Sequence, residues 1–251
     1  MSPTSFSVEP AFLVLAGGAG FAYVRAARTD APGRWRSASF ATGLFLVAAS
    51  LNSPLETIAA HYLLLMHLLQ NALIADVAPP LLLLGLTPRM RAALGARVPW
   101  PRARVAFPLW LVAWYGTHAA GFYDWALRSG WALSLEHAIL IAAGLVFWWP
   151  LLAGRLSTAS ALGYLGAGFV TSAFLGLAYI FSTRPFYGFY VHASRLWGLS
   201  PARDQNLGGI LMNAEQTVVF FAAIGFYLWR LLEEEDERGR VSSAGESPGA
   251  R

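Results

Sequence analysis

Five histidines, His61, His67, His118, His137 and His192, are the residues best suited to chemistry in this chain. Imidazole is the commonest side-chain metal ligand. Cysteine is absent, which excludes a thiolate metal site, a disulfide and a cysteine nucleophile. The other donors near the histidines are Met66, Met212, Glu136 and Glu215. A set of His and Met would suit copper, and a set of His and carboxylate would suit iron or zinc. A plainer reading stands beside this one: a histidine in a helical bundle can simply hydrogen-bond across helices. His192 reads as a loop residue, and His61 as an interfacial residue beside Tyr62. Asp76 either caps a broken helix or lines a polar path.

The elements that must position these groups are apolar. Of 251 residues, 56% are hydrophobic and 13% are charged. A soluble domain carries about twice that charged share. Runs long enough to cross a bilayer fall at about 7–25, 37–52, 58–87, 105–122, 131–153, 159–182 and 208–231. Asn52-Ser53-Pro54 interrupts the end of the second. The third is too long for one straight crossing and contains Pro79-Pro80, so a kink or short non-helical stretch is expected there. Ser172 and Gly176 suit close helix packing.

Lysine is also absent, which excludes Schiff-base chemistry of the retinal type despite the span count. The 18 arginines set the orientation. Fourteen fall in alternate connections and the C-terminal segment, and four (Arg128, Arg184, Arg195 and Arg203) in the others. The positive-inside rule then puts the N-terminus outside and the C-terminus in the cytoplasm. The expected fold is an all-α polytopic transmembrane bundle of about seven helices. Residues 1–232 form one domain, and 233–251 a charged, disordered tail. Met1 to Pro10 lacks the basic start of a cleavable signal. The basic balance reads as orientation and contact with anionic membrane lipid, and nothing points to nucleic acid. The aromatic loop 183–207 reads as a belt at the membrane surface, with a docking surface as the alternative.

With the spans oriented from arginine alone, all five histidines fall in the extracytoplasmic half. His67 lies six residues below His61, ~9 Å along a helix axis. His67, His118 and His137 sit on three different spans at one level, a juxtaposition that suits a shared site.

Four stretches then resemble one family. The first is His67-Leu68-Leu69-Gln70-Asn71 followed by Val77-Ala78-Pro79-Pro80-Leu81-Leu82 and Gly85. The others are His118 with Tyr123-Asp124; Glu136-His137 with Gly144 and Phe147-Trp148-Trp149-Pro150-Leu151; and Asp204-Gln205 with Gly208-Gly209 and Met212. In order and spacing they resemble the polytopic CtaG-type assembly factors of caa-type cytochrome c oxidase. In that family's pattern a second histidine stands at Asn71, proline at Ala120 and tryptophan at Asn213. The resemblance implies a multi-pass protein of the bacterial plasma membrane that matures cytochrome c oxidase, at copper loading or subunit assembly. It implies copper bound transiently, and oxidase subunits or copper-delivery proteins as partners. His67, His118 and His137 would be ligands, with Met212 and Glu215 as weaker candidates. Two other classes stay open: an intramembrane metalloenzyme using Glu136 or Glu215 with the histidines, and a transporter lined by Asp76 and the outer carboxylates.

Overall fold

In the computed structural model, which describes residues 2–245 with side chains placed to residue 240, every element is helical. In chain order these are α1 (Pro10–Ala27), α2 (Arg34–Leu51), α3 (Pro54–His61), α4 (Leu64–Ala72), a π-helical turn (Leu73–Val77) and α5 (Ala78–Gly85). There follow α6 (Pro88–Arg97), α7 (Ala103–Thr117), α8 (Ala120–Leu127), α9 (Gly130–Leu152), α10 (Thr158–Phe181), α11 (Gly188–His192) and α12 (Pro201–Gly245). Five units are long and apolar enough to cross a membrane: α1, α4 through α5, α9, α10 and α12. A sixth exists if α2 and α3, bent by 49°, form one broken span. The remaining expected span, the fourth, corresponds to α7, whose 15 residues give it a length of about 22 Å. Large apolar side chains such as Val14, Phe21, Val112, Phe181 and Val218 point outward, as lipid-facing positions require. The chain is a membrane protein.

Several boundaries differ from the sequence reading. Residues 58–61 belong to α3 and continue α2 across the bend, so the third span is 64–85 and not 58–87. The fourth ends at Thr117, with His118 at its C-cap, and not at residue 122. Pro79 and Pro80 do not break the helix. They occupy the start of α5, where missing donors are tolerated, and the π turn just before them takes up the irregularity. The last helix begins at Pro201, so Asp204 and Gln205 lie in its first turn and not in a loop. The acidic run from Glu233 to Glu237 continues α12; residues 246–251 of the expected tail lie outside the described residues.

Close approaches hold the bundle together. A methyl group at Gly144 on α9 would lie 2.1 Å from the Ala75 carbonyl oxygen in the π turn. One at Gly176 would lie 2.0 Å from Asn213 Oδ1, so α10 and α12 do meet at the small residues noted in the sequence.

The two ends of the bundle differ in chemistry. At one, arginines close the structure: Arg36 donates to the Leu84 and Leu86 carbonyls, and Arg91 to that of Leu152. Arg36, Arg91, Arg155 and Arg230 border a cavity of about 740 Å³. At the other end, carboxylates and amides tie loops to helix starts. Asp204 accepts from the Leu64 and Leu65 backbone N–H groups, both at 2.9 Å, and so caps α4, whose own N-cap side chain makes no such bond. Asp204→Ala should therefore lower stability by about 1–2 kcal/mol. Thermal melting in detergent would read this as a lower midpoint. Asp204→Asn, which keeps one acceptor oxygen, should fall between Asp204→Ala and wild type.

Candidate functional site

At the end opposite Arg36, Arg91, Arg155 and Arg230 lies a buried polar cluster. α4 supplies His67, Gln70 and Asn71, and the α7 C-cap supplies His118. Tyr123 comes from α8, Glu136 and His137 from α9, and Tyr190 from α11. All eight side chains are buried. The apolar faces of α4 and α9 carry these groups inward because the polar residues stand one turn apart or adjacent on each helix: His67 with Gln70 and Asn71, and Glu136 with His137.

The hydrogen bonds fix two of the imidazoles. Tyr190 donates its hydroxyl proton to the Ala59 carbonyl at 2.5 Å, and its oxygen lies 2.9 Å from His67 Nδ1. That oxygen therefore accepts from Nδ1–H, and His67 Nε2 keeps its lone pair. His118 Nδ1 lies 2.7 Å from the Trp114 carbonyl, which can only accept, so His118 Nε2 is likewise left bare. Neither Nε2 has a hydrogen-bond partner, and neither nitrogen of His137 has one. A neutral imidazole with one nitrogen held by a second group and the other exposing a lone pair is in the state of a metal ligand.

Distances relate the rings. His67 and His137 are 6.0 Å apart between centroids, edge to face. His118 stands further off: its ring is 5.8 Å from that of Tyr123, which is 4.8 Å from His67, and the ligand nitrogens of His67, His118 and His137 do not all lie within 4.8 Å of one another. His67 Nε2 is 3.5 Å from Glu136 Oε1, which also accepts from Asn71 Nδ2 at 3.1 Å. Unpartnered polar atoms are concentrated here: besides the imidazole nitrogens, Asn71 Oδ1, Tyr123 Oη and Glu136 Oε2 are all buried without a hydrogen bond. Buried polar atoms are nearly always satisfied, so these seven atoms single the cluster out as a candidate site, with the Asp76, Glu215 and Gln216 group as a second such place.

The remaining residues singled out in the sequence take other places. Asp124 accepts from the Gly188 and Phe189 N–H groups at 3.1 and 3.0 Å, which holds α11 over the cluster. Gln205 accepts from Phe186 N–H at 2.7 Å and donates to the Arg184 carbonyl at 3.2 Å. These two, with Asp204, shape the loop around the site. Met212 lies in the apolar core. Glu215 lies near Asp76, a second acidic position on the π turn, and both have buried, unpartnered oxygens. His61 and His192 are exposed.

Three residues were missed by reading the sequence. The aromatic loop 183–207 predicts a surface belt for Tyr187 and Tyr190, but both are buried. Tyr187 stacks on Tyr123 at 4.1 Å and donates to the His118 carbonyl at 2.8 Å. Phe186 and Trp197 do stay exposed, as a belt requires. The third is Glu56, in the sequence Ser53-Pro54-Leu55-Glu56. That pattern reads as an ordinary helix start, yet the side chain is buried and hydrogen-bonded to Gln70.

Comparison with curated proteins and with solved structures returns no match. The family model of the cytochrome c oxidase caa3 assembly factors matches residues 19–234, which takes in every helix from within α1 to the body of α12 and all eight residues of the cluster. The chain belongs to the caa3 cytochrome c oxidase assembly factor family.

Proposed function

We propose that this protein, an assembly factor and not an enzyme, acts at the copper-loading stage of oxidase maturation from the extracytoplasmic face of the bacterial plasma membrane. The observation that carries this reading is the state of the histidines. His67 and His118 each have Nδ1 engaged and Nε2 bare, and His137 has both nitrogens free of partners. Copper is cargo here. Imidazole donors without thiolate bind it, yet leave it for a softer or richer ligand set on the next protein. Met212 and Glu215 are weaker candidates, since one packs in the core and the other lies near Asp76.

The face is inferred from the separation of the two ends. Arginine closes the end opposite the histidines, so the positive-inside rule puts the histidines outside, the N-terminus outside and the C-terminus inside. The arginine-bordered cavity of about 740 Å³ then lies at the cytoplasmic surface, where anionic lipid headgroups are available. Oxidase subunits or copper-delivery proteins would be met at the histidine end.

Deletion of the gene tests the reading. Oxidase activity and copper per oxidase are measured with and without added copper. The expected result is low activity with copper-poor oxidase, partly rescued by excess copper. Low activity with fully metallated oxidase would move the role to subunit assembly. Unchanged oxidase would remove the role altogether.

A further inference from the structure

One group of side chains beside the histidine cluster has no part in the copper reading apart from a shared residue. Glu9, Glu56 and His137 each offer one ligand atom, and these atoms all lie within 4.8 Å of one another. They come from three separate places in the sequence: the residue preceding α1, the first turn of α3, and α9. We propose that Glu9, Glu56 and His137 form a binding site for a divalent transition-metal ion, held by two carboxylate oxygens and one imidazole nitrogen.

His137 gives the first reason. It is fully buried and lies within reach of both carboxylates, yet neither of its nitrogens makes a hydrogen bond. A buried imidazole costs free energy when it is left unpaired. A shared ion satisfies it without any hydrogen bond to either carboxylate. Charge gives the second reason. Two carboxylates this close repel one another in a low-dielectric surrounding, and a divalent cation between them neutralises both.

The surrounding contacts are those that orient ligands. The Glu9 carboxylate accepts from Ser134 Oγ at 2.6 Å, and its backbone N–H donates to Asn52 Oδ1 at 2.7 Å. Glu56 accepts from Gln70 Nε2, which also donates to the Ser50 carbonyl at 2.8 Å. Metal-bound carboxylates are normally held by such outer partners. Phe12 closes one wall, its ring 6.2 Å from that of His137. Glu9 alone of the three is only partly buried, so the ion enters on its side.

The donor set selects the ion. Two oxygens and one imidazole nitrogen suit copper(II) or zinc(II); copper(I) prefers sulfur. Three protein ligands leave a coordination position for water or for a donor from another protein, the mark of a site that exchanges or presents its metal. Glu9 precedes the stretch that matches the family, so the third ligand comes from outside the family match.

The test uses the full chain, purified in detergent and stripped with chelator. Zinc(II) is titrated in competition with a chromophoric chelator, and cobalt(II) serves as a spectroscopic probe. Wild type should bind one zinc per chain, show the visible bands of protein-bound cobalt, and melt at a higher temperature with zinc. Glu56→Gln and Glu9→Gln keep shape and hydrogen bonding. Each should weaken zinc on the order of 100-fold, at least what loss of an outer partner costs. Because Glu9 is partly exposed, Glu9→Gln keeps the test readable should Glu56→Gln fail to accumulate. Wild-type zinc affinity in Glu9→Gln, or no zinc-dependent stabilisation of wild type, would overturn the proposal. Oxidase maturation is not read in this experiment, so its result and that of the gene deletion fail independently.

Discussion

With asparagine in place of His67, the protein should accumulate in the membrane at its normal level while oxidase activity falls about tenfold or more. Asparagine is chosen for its geometry. Its amide reaches about as far as Nδ1 and can still donate to the Tyr190 hydroxyl oxygen, so the bond that holds α4 to α11 is kept. What is lost is Nε2, the nitrogen with a bare lone pair. A structural histidine would tolerate this change, because its only hydrogen bond survives. A copper ligand would not. His137→Asn should behave alike, for the opposite reason: His137 makes no hydrogen bond, so nothing structural is removed except volume. Immunoblots of membranes, oxidase activity and copper per oxidase together decide the matter. Normal oxidase in both variants would take the histidines out of the mechanism, whatever becomes of alanine variants, which also open a cavity.

The closeness of His67 and His137 is legible in the sequence because each sits at a definite depth on an apolar span. Depth along a helix is a one-dimensional quantity, and sequence records it. Azimuth is not recorded. Nothing in the order of residues says that Glu9 turns in toward His137, since that depends on Asn52 holding the chain before α1. The same gap explains Tyr187 and Tyr190. An aromatic-rich loop has one composition whether its rings lie in the lipid headgroups or fold back over a site. Asp124 decides between them by capping α11 from another segment, and that contact spans more than sixty residues.

The departures from the family pattern become intelligible in the same terms. Asn71, where the pattern has histidine, donates to Glu136 and keeps that carboxylate beside His67. Ala120 is the first residue of α8, a position where proline is favoured but not needed. Asn213, where the pattern has tryptophan, sits against the bare backbone of Gly176, a small polar side chain filling a narrow approach.

The second large effect concerns Gly144, which joins the polar cluster to the π turn. A methyl group there would be 2.1 Å from the Ala75 carbonyl oxygen and 2.7 Å from Pro79 Cγ. Neither neighbour can rotate away: one is backbone, and the other is the ring of a proline at the start of α5. The helices must separate instead. Overfilling a packed interior costs about 1–3 kcal/mol, and occasionally more, and a backbone clash this deep belongs at the upper end. Glu136 and His137 lie about two turns along the same helix, so the displacement reaches them as well. Gly144→Ala should therefore lower the melting midpoint in detergent, expose the π turn to protease, and reduce oxidase maturation although no polar group is touched. Gly163→Ala on α10 is the control, because nothing lies within 4 Å of the added carbon. It should be neutral or stabilising by about 0.5–1 kcal/mol, the ordinary gain of alanine over glycine in a helix. If Gly144→Ala melted with its control, α9 would have room to move off the π turn, and the close approach could not be what positions Glu136 and His137.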